Sequence, residues 1–379
     1  MIQRRTFFSS SWSLLSAIVC VPIAGCITPT VFDQASAPRA GRLLNNRLCL
    51  VFSDRSLTRI LGFERLHPFD INKYSRIYLR LVLDGVLAPE DVFVPTEISR
   101  QDLLRVHTQR YLEELEHDPA AVARALEDEA ARRLPSFVTR KVILQPFRVA
   151  TGGTLLASRL ALQHGMAINL AGGYHHAEPD RGGGFCLYAD IAVAVRAMQA
   201  EGLVQRVLSI DLDVHQGNGT ALCLAADPNV FTFDMHSANI YPIPKAKNDL
   251  DVPLRAGIGD ADYLKTLRQH LSQVFEEARP DLVVYQAGVD GYVEDPLGNL
   301  ALSQACLIER DRLVFEEAAR RRIPIVMTLG GGYSRAAWRI QYQSIRALID
   351  TYGRPAGAPP PSPRPAGWFE SNHVNGLPG

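Results

Sequence analysis

The stretch Val207-Leu208-Ser209-Ile210-Asp211-Leu212-Asp213-Val214-His215-Gln216-Gly217-Asn218-Gly219 decides the fold. Its first part, 207–211, is an apolar run of strand length. A run that does not alternate apolar with polar is buried on both faces, as strands of a parallel sheet are. The glycines at 217 and 219 then punctuate a loop, and helical spacing follows over 219–226.

The same unit repeats outward. Apolar strand runs stand at 48–52, 167–170, 230–233, 282–285 and 325–329. Between them, helical spacing is read at 71–84, 99–117, 119–134, 191–201, 262–278, 303–322 and 336–352. A further helix runs over 151–164, with Gly152-Gly153 at its start. Strands alternating with helices imply an α/β domain, with a mostly parallel sheet flanked by helices on both faces. No internal repeat is visible.

The chemistry-bearing residues follow the strands. His175 and His176 lie in Gly172-Gly173-Tyr174-His175-His176, after 167–170. Asp211, Asp213 and His215 close the 207–211 run. Asp290 ends Ala287-Gly288-Val289-Asp290, and Tyr333 ends Gly330-Gly331-Gly332-Tyr333. In open α/β sheets ligands bind outside the carboxyl ends of the strands, so these four loops should meet in one crevice.

Two carboxylates and one imidazole, Asp213, His215 and Asp290, suit Zn²⁺ or Fe²⁺. Three protein ligands leave a position open, the pattern of a catalytic site. Asp213 and His215 are two apart, so in an extended segment they point the same way. Metal-assisted hydrolysis still needs a proton carrier, and His175 and His176 can supply it. Each imidazole wants an orienting partner, which Asp211 and Asn218 can be. Tyr333 can donate to an oxyanion opposite the metal.

Bulk composition bounds the rest. With 379 residues and 47% apolar residues, the chain can bury a large core. Forty basic and forty acidic residues balance, so no nucleic-acid partner is expected. Arg4-Arg5, the apolar stretch 12–24 and Ile23-Ala24-Gly25-Cys26 resemble a twin-arginine export signal ending in a lipobox. The expectation is a bacterial protein, periplasmic or membrane-attached through a lipid on Cys26, and cytoplasmic if the signal is not used. Residues 27–46 read as a linker, 47–353 as one folded domain and 354–379 as a Pro-rich tail. Cys49, Cys186, Cys223 and Cys306 are widely spaced and read as buried apolar residues rather than a disulfide framework.

Taken in order, these runs resemble the zinc-dependent histone deacetylase family over roughly 47–350. Thr151-Gly152-Gly153-Thr154 and Gly184-Phe185-Cys186 add to the match. Leu66-His67-Pro68-Phe69-Asp70, Leu103-Leu104-Arg105-Val106-His107-Thr108 and Asn218 look most like its class IV branch. The resemblance implies a single arginase-like domain with an eight-stranded parallel sheet. It implies that Asp213, His215 and Asp290 hold zinc, and that His176 is the general base and later acid. It pairs His175 with Asp211 and makes Tyr333 the oxyanion stabiliser. Gly184, Phe185 and Tyr241 would line the tunnel for an acylated lysine, in a peptide, protein or small amine. A K⁺ ion would lie near Asp211, Asp213, His215, Asp234 and Met235.

Gln216 and Ala189 depart from the family pattern without touching a proposed ligand, and an export signal departs from a histone substrate. Ureohydrolases of the same fold hold two metals and need a carboxylate where this chain has Gly217. The remaining alternative is a catalytically inactive protein that binds acyl-lysine or polyamine.

Overall fold

The computed structural model describes residues 48–59 and 67–353. The segments read above as an export signal, a linker and a Pro-rich tail lie outside the described residues, as does Leu66.

Eight strands form one sheet: β1 (Leu48–Val51), β2 (Val92–Phe93), β3 (Met166–Asn169), β4 (Val207–Asp211), β5 (Val230–Ser237), β6 (Leu250–Leu254), β7 (Leu282–Gln286) and β8 (Ile325–Thr328). Their order is β2-β1-β3-β8-β7-β4-β5-β6, and every pairing is parallel. The central strands β1, β3, β4, β7 and β8 are buried along their whole length, as their unbroken apolar runs require. Helices cover the sheet in two packed groups. Lys73–Leu83, Asp260–Ala278, Gln304–Arg321 and Ala337–Leu348 form one, and Gln145–His164 with Asp190–Ala200 anchors the other. This is the arginase-like α/β architecture that the sequence implies.

Several boundaries differ from the sequence reading. The helix expected over 99–117 is two, Arg100–Leu103 and Gln109–His117. The hydroxyls of Ser99 and Thr108 cap their N-termini and restart the chain. The next helix stops at Leu126, where Glu127 turns left-handed. Gly152-Gly153 does not begin a helix but sits inside Gln145–His164. A Cβ at Gly152 would stand 2.0 Å from the Thr96 carbonyl oxygen, so packing and not turn-making calls for glycine there. The edge strands β2 and β6 were not expected. One has two residues, and the other carries Pro253, which an edge tolerates because its missing N–H costs no central ladder bond. Cys49, Cys186 and Cys306 are buried, Cys223 is half-buried, and none is paired. Among the described residues no helix is long and apolar enough to cross a membrane.

Candidate functional site

The loops after β3, β8, β7 and β4 carry, in that order, the pair His175 and His176, then Tyr333, then Asp290, then Asp213 with His215, and these four strands are neighbours at the centre of the sheet. Side chains 158 positions apart in the chain, from His175 to Tyr333, therefore reach one crevice.

Asp213, His215 and Asp290 are buried, and their donor atoms all lie within 4.8 Å of one another. The His215 Nδ1 stands 3.0 Å from Asp290 Oδ2 and 3.3 Å from Asp213 Oδ1. The outer oxygens are held by backbone. The Gly331 N–H donates to Asp213 Oδ2 at 2.9 Å, and the Val214 N–H donates to Asp290 Oδ1 at 2.9 Å. Burial opposes charge on His215, but the two carboxylates outweigh it and raise the imidazole to about 10. Burial and the Asp213 charge push Asp290 up to about 7. Two buried carboxylates converge on one imidazole, and this mixed O/N donor set fits a divalent ion such as Zn²⁺ or Fe²⁺. A Cβ at Gly217 would stand 2.3 Å from Asp211 Oδ2, so the position where a two-metal site needs a carboxylate has no room for one.

The two histidines differ in partner and in charge. His175 Nδ1 lies 2.7 Å from Asp211 Oδ2, and His176 Nδ1 lies 2.7 Å from Asn218 Oδ1. Burial works against the His175 cation, but Asp211 and Asp213 override it and raise its pKa to about 9. Burial, then the neighbouring His175 and His215, hold His176 well below its usual range. At neutral pH the pair is one imidazolium and one neutral imidazole, 4.0 Å apart between ring centroids.

Their loop is shaped by groups the sequence reading missed. Asp190 Oδ2 accepts from the Gly173 N–H at 2.9 Å and from the Thr154 hydroxyl at 2.6 Å, and its Oδ1 accepts from the Tyr174 N–H at 2.6 Å. Gly172 and Gly173 both take positive φ to allow this. The buried Gln286 donates to the Gly173 carbonyl. Lys73, fully buried, donates to the carbonyls of Gly330 and Gly331 at 2.7 and 3.2 Å. The buried Arg310 guanidinium donates to the carbonyls of Leu212, Ala287 and Gly288, tying the β4 and β7 loops together. No motif marks these residues, since each acts on backbone far away in the chain.

Tyr333 is oriented by Asp295, which accepts from its backbone N–H at 2.7 Å. Its ring lies 6.2 Å from His215, and burial keeps the phenol protonated, well above its usual pKa. Phe185 and Phe69 each stand 6.0 Å from the Tyr333 ring, and Tyr241 stands 4.8 Å from His176. Gly184 and Phe185 both have positive φ, and a Cβ at Gly184 would meet His176 Cδ2 at 2.4 Å. One cavity is lined by Phe69, Phe185 and Tyr333 together with His176, Tyr74 and Cys186. Of the residues expected near potassium, Asp234 and Met235 lie on β5 beside β4, with Asp234 in register with Asp211. The Asp234 carboxylate accepts from the Gly217 N–H and faces His236 at 2.7 Å. Gln216 points away from the donor triad, to Ala246 and Asp251.

A family model described as the histone deacetylase domain matches residues 67–348. The chain is 38% identical to Histone deacetylase 2 of Arabidopsis thaliana over 332 residues, 84% of this chain and 86% of that one. It is 28% identical to the acetoin utilization protein AcuC of Staphylococcus aureus over 315 residues, 78% and 79% of the two chains. The crystal structure of the HDA15 HD domain shares the fold, with a TM-score of 0.65 at 24% identity, covering 80% of this chain and 89% of that one.

Proposed function

This chain belongs to the histone deacetylase family, and from that premise we propose that it is a zinc-dependent amidohydrolase acting on acylated amines. The substrate is an acetyl or longer fatty acyl group on the side-chain amine of lysine, in a peptide or protein, or on a lysine-like small amine. The observation that carries this reading is the tuning around the triad. A neutral imidazole, His176, and a protonated phenol, Tyr333, each stand about 6 Å from His215 between ring centroids.

Asp213, His215 and Asp290 would hold the ion. Zn²⁺, or Fe²⁺ on the same donors, would supply Lewis-acid chemistry there and lower the pKa of water. His176 takes the proton of the attacking water at Nε2, because Asn218 occupies Nδ1. It returns that proton to the leaving amine. His175, charged against Asp211, keeps His176 from being protonated in advance. Tyr333 donates its hydroxyl hydrogen to the oxyanion as the acyl carbon becomes tetrahedral. Gly184, Phe185 and Tyr241 form the walls along which the amine's methylene chain passes.

Asn218 and the 103–108 segment support placing the chain near class IV. A K⁺ ion near Asp211, Asp213, His215, Asp234 and Met235, and export with lipidation of Cys26, belong to the same proposal. The test is turnover by the zinc-loaded protein on lysine peptides from acetyl to myristoyl and on acetylated polyamines. Hydrolysis of at least one is expected. Binding with no turnover on any of them would replace the hydrolase by an acyl-lysine binding protein.

A further inference from the structure

We propose that Glu178 is a positioning residue that selects the tautomer of His176 by locking the amide of Asn218. The inference rests on the hydrolase reading above and names a member of the site that reading does not contain.

Three contacts run outward from His176. Its Nδ1 faces Asn218 Oδ1 at 2.7 Å, the Asn218 Nδ2 donates to Glu178 Oε1 at 3.0 Å, and Arg181 pairs with Glu178 Oε2 at 2.5 Å. The Glu178 backbone is held as well. Its carbonyl accepts from His107 Nδ1 at 3.0 Å, and its N–H donates to the Arg181 carbonyl at 2.8 Å. His107 can be that donor because its Nε2 accepts from the Ala189 N–H.

An asparagine amide has one donor end and one acceptor end of nearly equal size. Sterics alone do not decide which end meets His176. A carboxylate only accepts, so Glu178 draws the NH₂ group to itself and turns the carbonyl oxygen toward His176. His176 must then carry its hydrogen on Nδ1, which leaves the Nε2 lone pair free for a proton from water. With the amide reversed, the NH₂ would face Nδ1 and drive the hydrogen to Nε2, where the ring could accept nothing. An aspartate at 218 would need no such lock, because both its oxygens accept. Asparagine gives His176 a neutral partner, and Glu178 makes that partner unambiguous.

The experiment is a double-mutant cycle on the zinc-loaded full chain, read as kcat and KM, with ¹⁵N spectra of the His176 ring. Glu178→Ala should lower kcat at least about tenfold, within the 10²–10⁴-fold that a general base contributes, with KM nearly constant. In the Asn218→Asp background the same change should cost nothing, or should raise kcat by removing a facing carboxylate. If the alanine variant does not fold, Glu178→Gln is subject to the same criterion, since any loss it causes must vanish beside Asn218→Asp. An equal loss in both backgrounds, or kcat within about twofold of wild type for Glu178→Ala, overturns the proposal. Should the wild type show no turnover on any substrate, the hydrolase reading falls and the spectra still decide this inference. An Nδ1–H ring that gains Nε2–H character in Glu178→Ala supports it, and an unchanged ring refutes it.

Discussion

Gly288→Ala tests the metal centre without removing any ligand. Gly288 does not take a left-handed conformation, so alanine meets no backbone penalty there. Its new Cβ would stand 1.8 Å from Asp213 Oδ2, 2.5 Å from Cγ and 3.0 Å from Cβ of the same side chain. To bring the first contact to 3.0 Å the oxygen must retreat by about 1.2 Å, in a site packed with no spare room. Metal–ligand distances tolerate only about 0.2 Å, so that retreat takes Asp213 out of its place in the donor set. Loss of a supporting contact alone lowers metal affinity by about 10–100-fold, and displacing a ligand should cost at least that, or about 1.4–2.8 kcal/mol. The metal-free protein should lose no more than the about 1–3 kcal/mol that overpacking usually costs. Zinc affinity is read by competition with a chromophoric chelator, and stability by urea unfolding of the metal-free protein. Gly259→Ala is the control, because a Cβ there meets nothing within 4 Å. A folded Gly288→Ala protein that binds zinc within threefold of wild type would refute the assignment of Asp213 as a ligand.

Four further outcomes are expected. His176→Ala should retain zinc while losing about 10²–10⁴-fold in kcat; near-normal turnover would remove it as the base. Tyr333→Phe should lose about 10²–10³-fold in kcat with little change in KM, measured on the best acyl-lysine peptide. His107 is 2% exposed, and burial, against its backbone hydrogen bond, lowers its folded pKa to about 4. The unfolded chain, near 6.5, binds a proton there that the folded one does not, so this stability is complete above pH 6.5 and lost as pH falls toward 4. The loss is about 3 kcal/mol, and denaturant unfolding of His107→Gln should show a correspondingly shallower acid dependence. Cys26→Ala should shift the protein from the membrane to the soluble fraction of the producing bacterium; an unchanged distribution would remove the lipid anchor.

The central sheet was readable because its strands are buried on both faces, which leaves short apolar runs bounded by glycine and polar residues. The edges were not. Leu250–Leu254 shows three half-buried residues and then an exposed Pro253, a pattern open to loop as much as strand. Gly152-Gly153 was misread as punctuation, because a glycine demanded by a neighbouring carbonyl looks the same in sequence as one demanded by a turn. The donor triad and both histidines stood out, since buried polar types at strand ends have few structural uses. Glu178, Asp190, Asp295, Lys73 and Arg310 did not, because charged residues at those spacings are ordinary on any surface.

By itself, then, the sequence determined the layer architecture and which polar residues stand at the strand ends, because periodicity and residue chemistry are local properties. Only the tertiary structure decided which partner each group has. The strand order brings β3, β8, β7 and β4 side by side, so that Asp211 faces His175, Asn218 faces His176, and Glu178 stands behind Asn218. Those pairings set one imidazole charged and its neighbour neutral, and charge in a buried site depends on what lies within a few ångströms, whatever the distance along the chain.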